Sequence, residues 1–111
     1  MKNIELLEHQ IALQRVRDAG IEMEIDAAYA VAYNIHNMKQ ALDPYIESRK
    51  TIEQKHMRED GEIDTIALSS DDDLNKLNDI EVECDIRKVP LDTLPKTIGV
   101  DIMTALYFMI K

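Results

Sequence analysis

The sequence predicts an α+β fold: one domain over residues 1–111, with a long kinked helix packed by N- and C-terminal helices and a small two- to three-stranded sheet. Three observations carry this expectation. Apolar or amphipathic residues recur at spacings of three and four from Asp26 to Arg58, which is a helical seam. Ile80 to Lys88 alternates apolar with charged residues, the period of a strand with one wet face. The closing stretch, with Ile102, Met103, Leu106, Phe108, Met109 and Ile110, is too apolar to stand in water and has to be buried in its own core or against a partner. At 111 residues the chain has the length of one ordinary domain and can bury one modest core.

Taken in order, Ile4, Leu6, Leu7, Ile11, Leu13 and Val16 form an apolar face at helical spacing, followed by Arg15, Arg17 and Gly20, which suit a helix C-terminus. Ile21 to Ile25 alternates apolar and acidic residues and reads as a short strand. The long helix then carries Ala28, Val31, Ile35, Met38, Leu42, Tyr45, Arg49, Ile52 and His56 on one seam, apolar at first and polar toward its end. Pro44 lies inside it and cannot donate to the carbonyl of Gln40, but the three-four spacing continues without a slip, so one kinked helix is expected and not two. Arg58 to Glu62, with its Asp60-Gly61 step, is a turn. Glu62 to Leu68 is read as a second strand, Ser69 or Ser70 before three Asp residues as a helix cap, and Leu74 and Leu77 as the inner side of a short helix. Pro90 and Pro95 stiffen a linker before a last helix opened by Thr97 or Asp101.

The net charge of −9 is unevenly placed. Between Glu59 and Asp85 eleven acids (Glu59, Asp60, Glu62, Asp64, Asp71, Asp72, Asp73, Asp79, Glu81, Glu83 and Asp85) face one base, Lys76, a local charge of −10. One end of the molecule is therefore expected to be anionic. Such a surface repels nucleic acid and membranes and attracts a basic groove on another protein. Asp71, Asp72, Asp73, Glu81, Glu83 and Asp85 are the candidate partner-binding residues, with Arg49 and Lys50 a second contact on the long helix.

Chemistry is sparse. The sequence has no glycine-rich phosphate loop, no H-E-x-x-H, no G-x-S-x-G and no paired cysteines. Asp71-x-Asp73-x-Asn75 opens like a calcium loop, but Lys76 stands where Gly is needed and Val82 where a bidentate Glu is needed. Glu53 and His56 form one half of the carboxylate–histidine set that di-iron bundles use twice, and they read as a surface pair. Cys84 stands on the apolar side of its strand, as a small hydrophobe, and a lone cysteine fits a reducing compartment. Met1 to Glu5 leads into an amphipathic pattern, and no stretch has the roughly 18 apolar residues of a membrane span. No catalytic, cofactor-binding or metal-ligating residue is assigned.

The order of elements, with Ile21 to Met38, then Leu42-Asp43-Pro44-Tyr45-Ile46-Glu47-Ser48-Arg49, the Asp-Gly turn, Ile80 to Ile86 and the ending Asp101-Ile102-Met103-Thr104-Ala105-Leu106-Tyr107-Phe108-Met109-Ile110, resembles a loosely defined group of small proteins encoded by bacteriophages and prophages. The resemblance implies an accessory protein acting in the bacterial cytoplasm and carries no catalytic residue with it. The expectation is a non-catalytic, self-associating protein that blocks or sequesters a host component such as a defence factor. The alternative is a virion or tail-assembly component. A homo-oligomer and a host or phage protein partner are expected, and a small-molecule ligand is left open.

Overall fold

The computed structural model describes residues 1–111 as an elongated body of 50 × 28 × 18 Å built from five helices. α1 spans Asn3–Asp18, α2 Ile25–Lys55, α3 Thr65–Ser69, α4 Asp72–Asp79 and α5 Val100–Leu106, with 3₁₀ turns at Leu91–Thr93 and Tyr107–Met109. α2 runs unbroken through Pro44 for 31 residues and is the axis against which α1 and α4 pack. α1 starts where the Glu5 carboxylate accepts the Lys2 backbone N–H at 3.0 Å, and it ends in Arg15 and Arg17 ahead of Gly20, whose φ of +66° favours glycine.

The core explains the long helix. Val31, Ile35, Met38, Leu42, Tyr45 and Ile52 of the expected seam are buried, while Ala28 is exposed and Ala27, Ala30 and Asn34 are buried in its place. Leu6, Leu13 and Val16 of α1, with Val89, Leu94, Leu106 and Met109 from the C-terminal third, close over this face. A smaller cluster of Ile52, Leu68 and Leu74 fastens α3 and α4 to the far end of α2. The seam does turn wetter there, since Arg49 and His56 are only half-buried.

The expected sheet is absent, and the fold is helical. Three isolated bridges, Lys2 with Glu81, Met57 with Ile63 and Val89 with Ile110, are the only strand-like pairings. Each of the three expected strands fails for its own reason. Ile21 to Glu24 keeps its alternation of burial, but these four residues turn the chain between α1 and α2, and Ile25 already belongs to α2 and is 81% exposed. In the stretch 62–68 the Asp64 carboxylate accepts the N–H of Ala67 at 3.1 Å and nucleates α3. Local capping there overrides the strand preference of Ile63, Thr65 and Ile66, and Ile66 is left 78% exposed. Glu81 to Arg87 keeps the period of two, with Val82, Cys84 and Ile86 half-buried and Glu81, Glu83, Asp85 and Arg87 exposed, but Ile80, expected on the apolar face, is exposed as well. Beside it lie the chain's first residues, which pair with Ile80 and Val82, and α2, whose Asn34 and Asn37 side chains bond the peptide groups of Arg87 and Asp85.

Candidate functional site

The acidic segment lies along α2 and does not collect at one end. Its contacts step back along the helix from His56 and Lys55, which meet Asp71 and Asp73, through Tyr45, which meets Asn78, to Tyr33 and Asn37, which meet Asp85. His56 to Tyr33 is about 35 Å at 1.5 Å of rise per residue. Of the eleven acids, all but Asp64 and Asp71 are exposed.

The candidate residues have separate tasks along this stripe. Asp71 is the N-cap of α4: its Oδ1 accepts the N–H groups of Asp73 at 2.8 Å and Leu74 at 3.1 Å, a role expected of Ser69 or Ser70. Its other oxygen lies 2.7 Å from His56 Nε2. The hydrogen bond with His56, and after it the bond from the Leu74 N–H, hold the Asp71 carboxyl below the usual carboxylate range. Asp73 lies 3.5 Å from the Lys55 ammonium, and Glu81 lies 3.0 Å from the N-terminal amine. Asp85 accepts the Tyr33 hydroxyl, a bond that pushes the Tyr33 phenol up. Asp72 and Glu83 are exposed and engage no other side chain.

Arg49 and Lys50 do not join this surface as a pair. Arg49 turns inward and donates to the Tyr45 hydroxyl and to Glu53, both at 3.0 Å, whereas Lys50 stands in solvent. Glu53 and His56 thus serve different partners, Arg49 and Asp71. Burial, and then the nearby Asp85 charge, push the Cys84 thiol up, which keeps it a thiol and a poor nucleophile.

Sequence reasoning missed the residues that hold the 80s segment. Asn34, fully buried, donates from Nδ2 to the Arg87 carbonyl at 3.0 Å and accepts the Arg87 N–H on Oδ1 at 2.7 Å. Asn37 donates to the Asp85 carbonyl at 3.2 Å, and the Arg87 guanidinium lies 5.2 Å from the centre of the Tyr29 ring. The available signal was position: Asn34 follows Ala30 and Val31 by four and three residues, so it falls on the buried face, where an amide needs polar partners.

Two grooves flank α5. An apolar one of about 410 Å³ is lined by Ile98, Val100, Met103, Thr104 and Tyr107. A more polar one between α1 and α5 includes Glu8, His9, Arg15 and Asp101. His9 stacks on Phe108 with ring centres 4.1 Å apart, and burial lowers its pKa. No helix is long and apolar enough to cross a membrane. No protein-family model matches the sequence, and no curated protein or solved structure matches it either.

The Asp71 cap makes a prediction about acid. Because its folded-state pKa is depressed, its stabilising effect is present above the unfolded-state value of about 4 and is lost as pH falls through the lower folded value. Urea unfolding measured from neutral pH down through about pH 4 and below should therefore show a loss of stability that is weaker in Asp71→Asn. Identical pH profiles for the two proteins would show that the cap and the His56 contact do not contribute to acid sensitivity.

Proposed function

We propose that this chain acts by binding and not by catalysis, as a self-associating accessory protein of bacteriophage type that blocks or sequesters a host component, such as a defence factor, in the bacterial cytoplasm. The observation that carries the reading is the long stripe of exposed carboxylates, of which Asp72 and Glu83 engage no other side chain and Asp73 and Glu81 meet only exposed or terminal cations. Such a stripe presents a shaped anionic field that steers a basic protein groove into register.

The test is to change Asp72, Asp73, Glu81 and Glu83 together to Asn or Gln, leaving the Asp71 cap intact. The unfolding midpoint should stay nearly unchanged, because exposed charges contribute little to stability. The partner recovered by pull-down from infected bacteria should associate about tenfold or more slowly with this variant, and the wild-type association rate should fall as salt rises, since screening acts over about 8 Å at physiological ionic strength. An unchanged association rate would reduce the stripe to a solubilising face. Recovery of phage structural proteins instead of a host protein would favour the assembly reading.

The reading of self-association draws on the groove at α5, where Val100 is 81% and Tyr107 75% exposed beside Ile98 and Met103. Light scattering at micromolar concentration should give a particle heavier than the 12.8 kDa chain. A monomeric mass would remove this part of the reading.

A further inference from the structure

The segment Ile80 to Lys88 is paired on one edge only at its start and on the other only near its end. At its start the chain's first residues lie antiparallel beside it: Asn3 N–H donates to the Ile80 carbonyl at 3.0 Å, Val82 N–H donates to the Met1 carbonyl at 2.8 Å, and Lys2 bridges Glu81. This pairing stops at Val82. Further on, the peptide groups of Asp85 and Arg87 turn toward α2, where Asn37 and Asn34 act as stand-ins for a neighbouring strand. The N–H and C=O groups of Cys84, Ile86 and Lys88 have no partner within the protein, and on the other edge those of Glu81 and Glu83 and the Asp85 N–H have none either, but there α2 lies against the segment at Asp85 and Arg87.

In an extended chain, residues two apart send their peptide groups to the same side. Cys84, Ile86 and Lys88 therefore continue the edge on which Val82 pairs with Met1. Open edges of this kind are templates for another strand.

We propose that this edge is a strand-addition site for an extended, basic protein segment, laid down in line with Met1–Asn3. The inference rests on the partner-binding reading above and names the form the partner takes. The added strand would be four to six residues long, with Lys or Arg opposite Glu83 and Asp85 and apolar residues opposite Cys84 and Ile86, matching the alternation of exposure along this segment. A second copy's 80s segment does not suit the edge. Antiparallel self-pairing would set Glu81, Glu83 and Asp85 against their own like charges, and directly opposed like charges are destabilising.

The experiment uses the full chain and two synthetic probes, an alternating Lys-Val octapeptide and the same peptide N-methylated at every backbone nitrogen. Charge and side chains are equal in the two, but the second cannot complete a ladder. The unmodified peptide should bind about tenfold tighter or better by fluorescence anisotropy. Its binding should slow hydrogen exchange at the Cys84, Ile86 and Lys88 amides, and Glu83→Lys should weaken it. Equal binding of both peptides, without protection of those amides, overturns strand addition and leaves the electrostatic reading of the stripe in place. Binding of neither peptide at low salt overturns both.

Discussion

Replacing Tyr45 with Ala should lower the unfolding free energy by about 3–5 kcal/mol, the range for removing a large aromatic side chain from a packed core. Tyr45 is 2% exposed, belongs to the main cluster, and sits where α2, α1 and α4 converge. Its hydroxyl donates to Asn78 Oδ1 at 2.6 Å and accepts from Arg49 Nη1 at 3.0 Å, so the ring fills the core while its oxygen ties α4 to the helix. Tyr45→Phe separates the two roles: it keeps the ring and should cost about 1 kcal/mol, the net value of a typical hydrogen bond. Urea unfolding followed by circular dichroism measures both. Equal losses in the two variants would mean that the hydroxyl network, and not the packing of the ring, anchors this end of the molecule.

Asn34→Leu is the second large effect, at about 2–3 kcal/mol, although it makes the core more apolar. The substitution strips partners from the Arg87 N–H and C=O together, and a part-buried peptide group left unpaired costs about 1–3 kcal/mol. Helix content should survive, because the contact lies between α2 and the 80s segment and not within a helix. The local signature should be faster hydrogen exchange at the Arg87 amide. A more stable Asn34→Leu protein would show that Val82, Ile86 and Val89 hold the segment by packing alone.

The helices were legible where one residue's environment repeats along the chain. The seam from Val31 to Tyr45 needs only the 3.6-residue period to be recognised, and its continuity across Pro44 predicted one helix, as found. Gly61 was legible too, since the turn at Asp60-Gly61 uses a φ of +85°. The alternation at 80–88 forecast that Val82, Cys84 and Ile86 would be half-buried but failed at Ile80, which is exposed, and it does not specify what pairs with the backbone. Two asparagines and the chain's own first residues do that here. The stretch 62–68 was misread because one side-chain oxygen, on Asp64, outweighed a run of β-branched residues. The acidic residues were identified by composition, yet composition could not separate Asp71, which caps a helix and meets His56, from Asp72, which engages nothing.

By itself, then, the sequence determined which residues are apolar and with what period, where the chain turns, and that the segment 59–85 is anionic, because these follow from local chemistry and spacing. Tertiary structure alone decided that the 80s segment finds no partner strand, that the acids spread along about 35 Å of α2, and that Asn34 and Asn37 stand where a strand was expected. The physical reason is that a peptide group needs a hydrogen-bond partner but not a particular kind of partner. The choice among a strand, an amide side chain and solvent is made between residues about 50 positions apart, which no local pattern encodes.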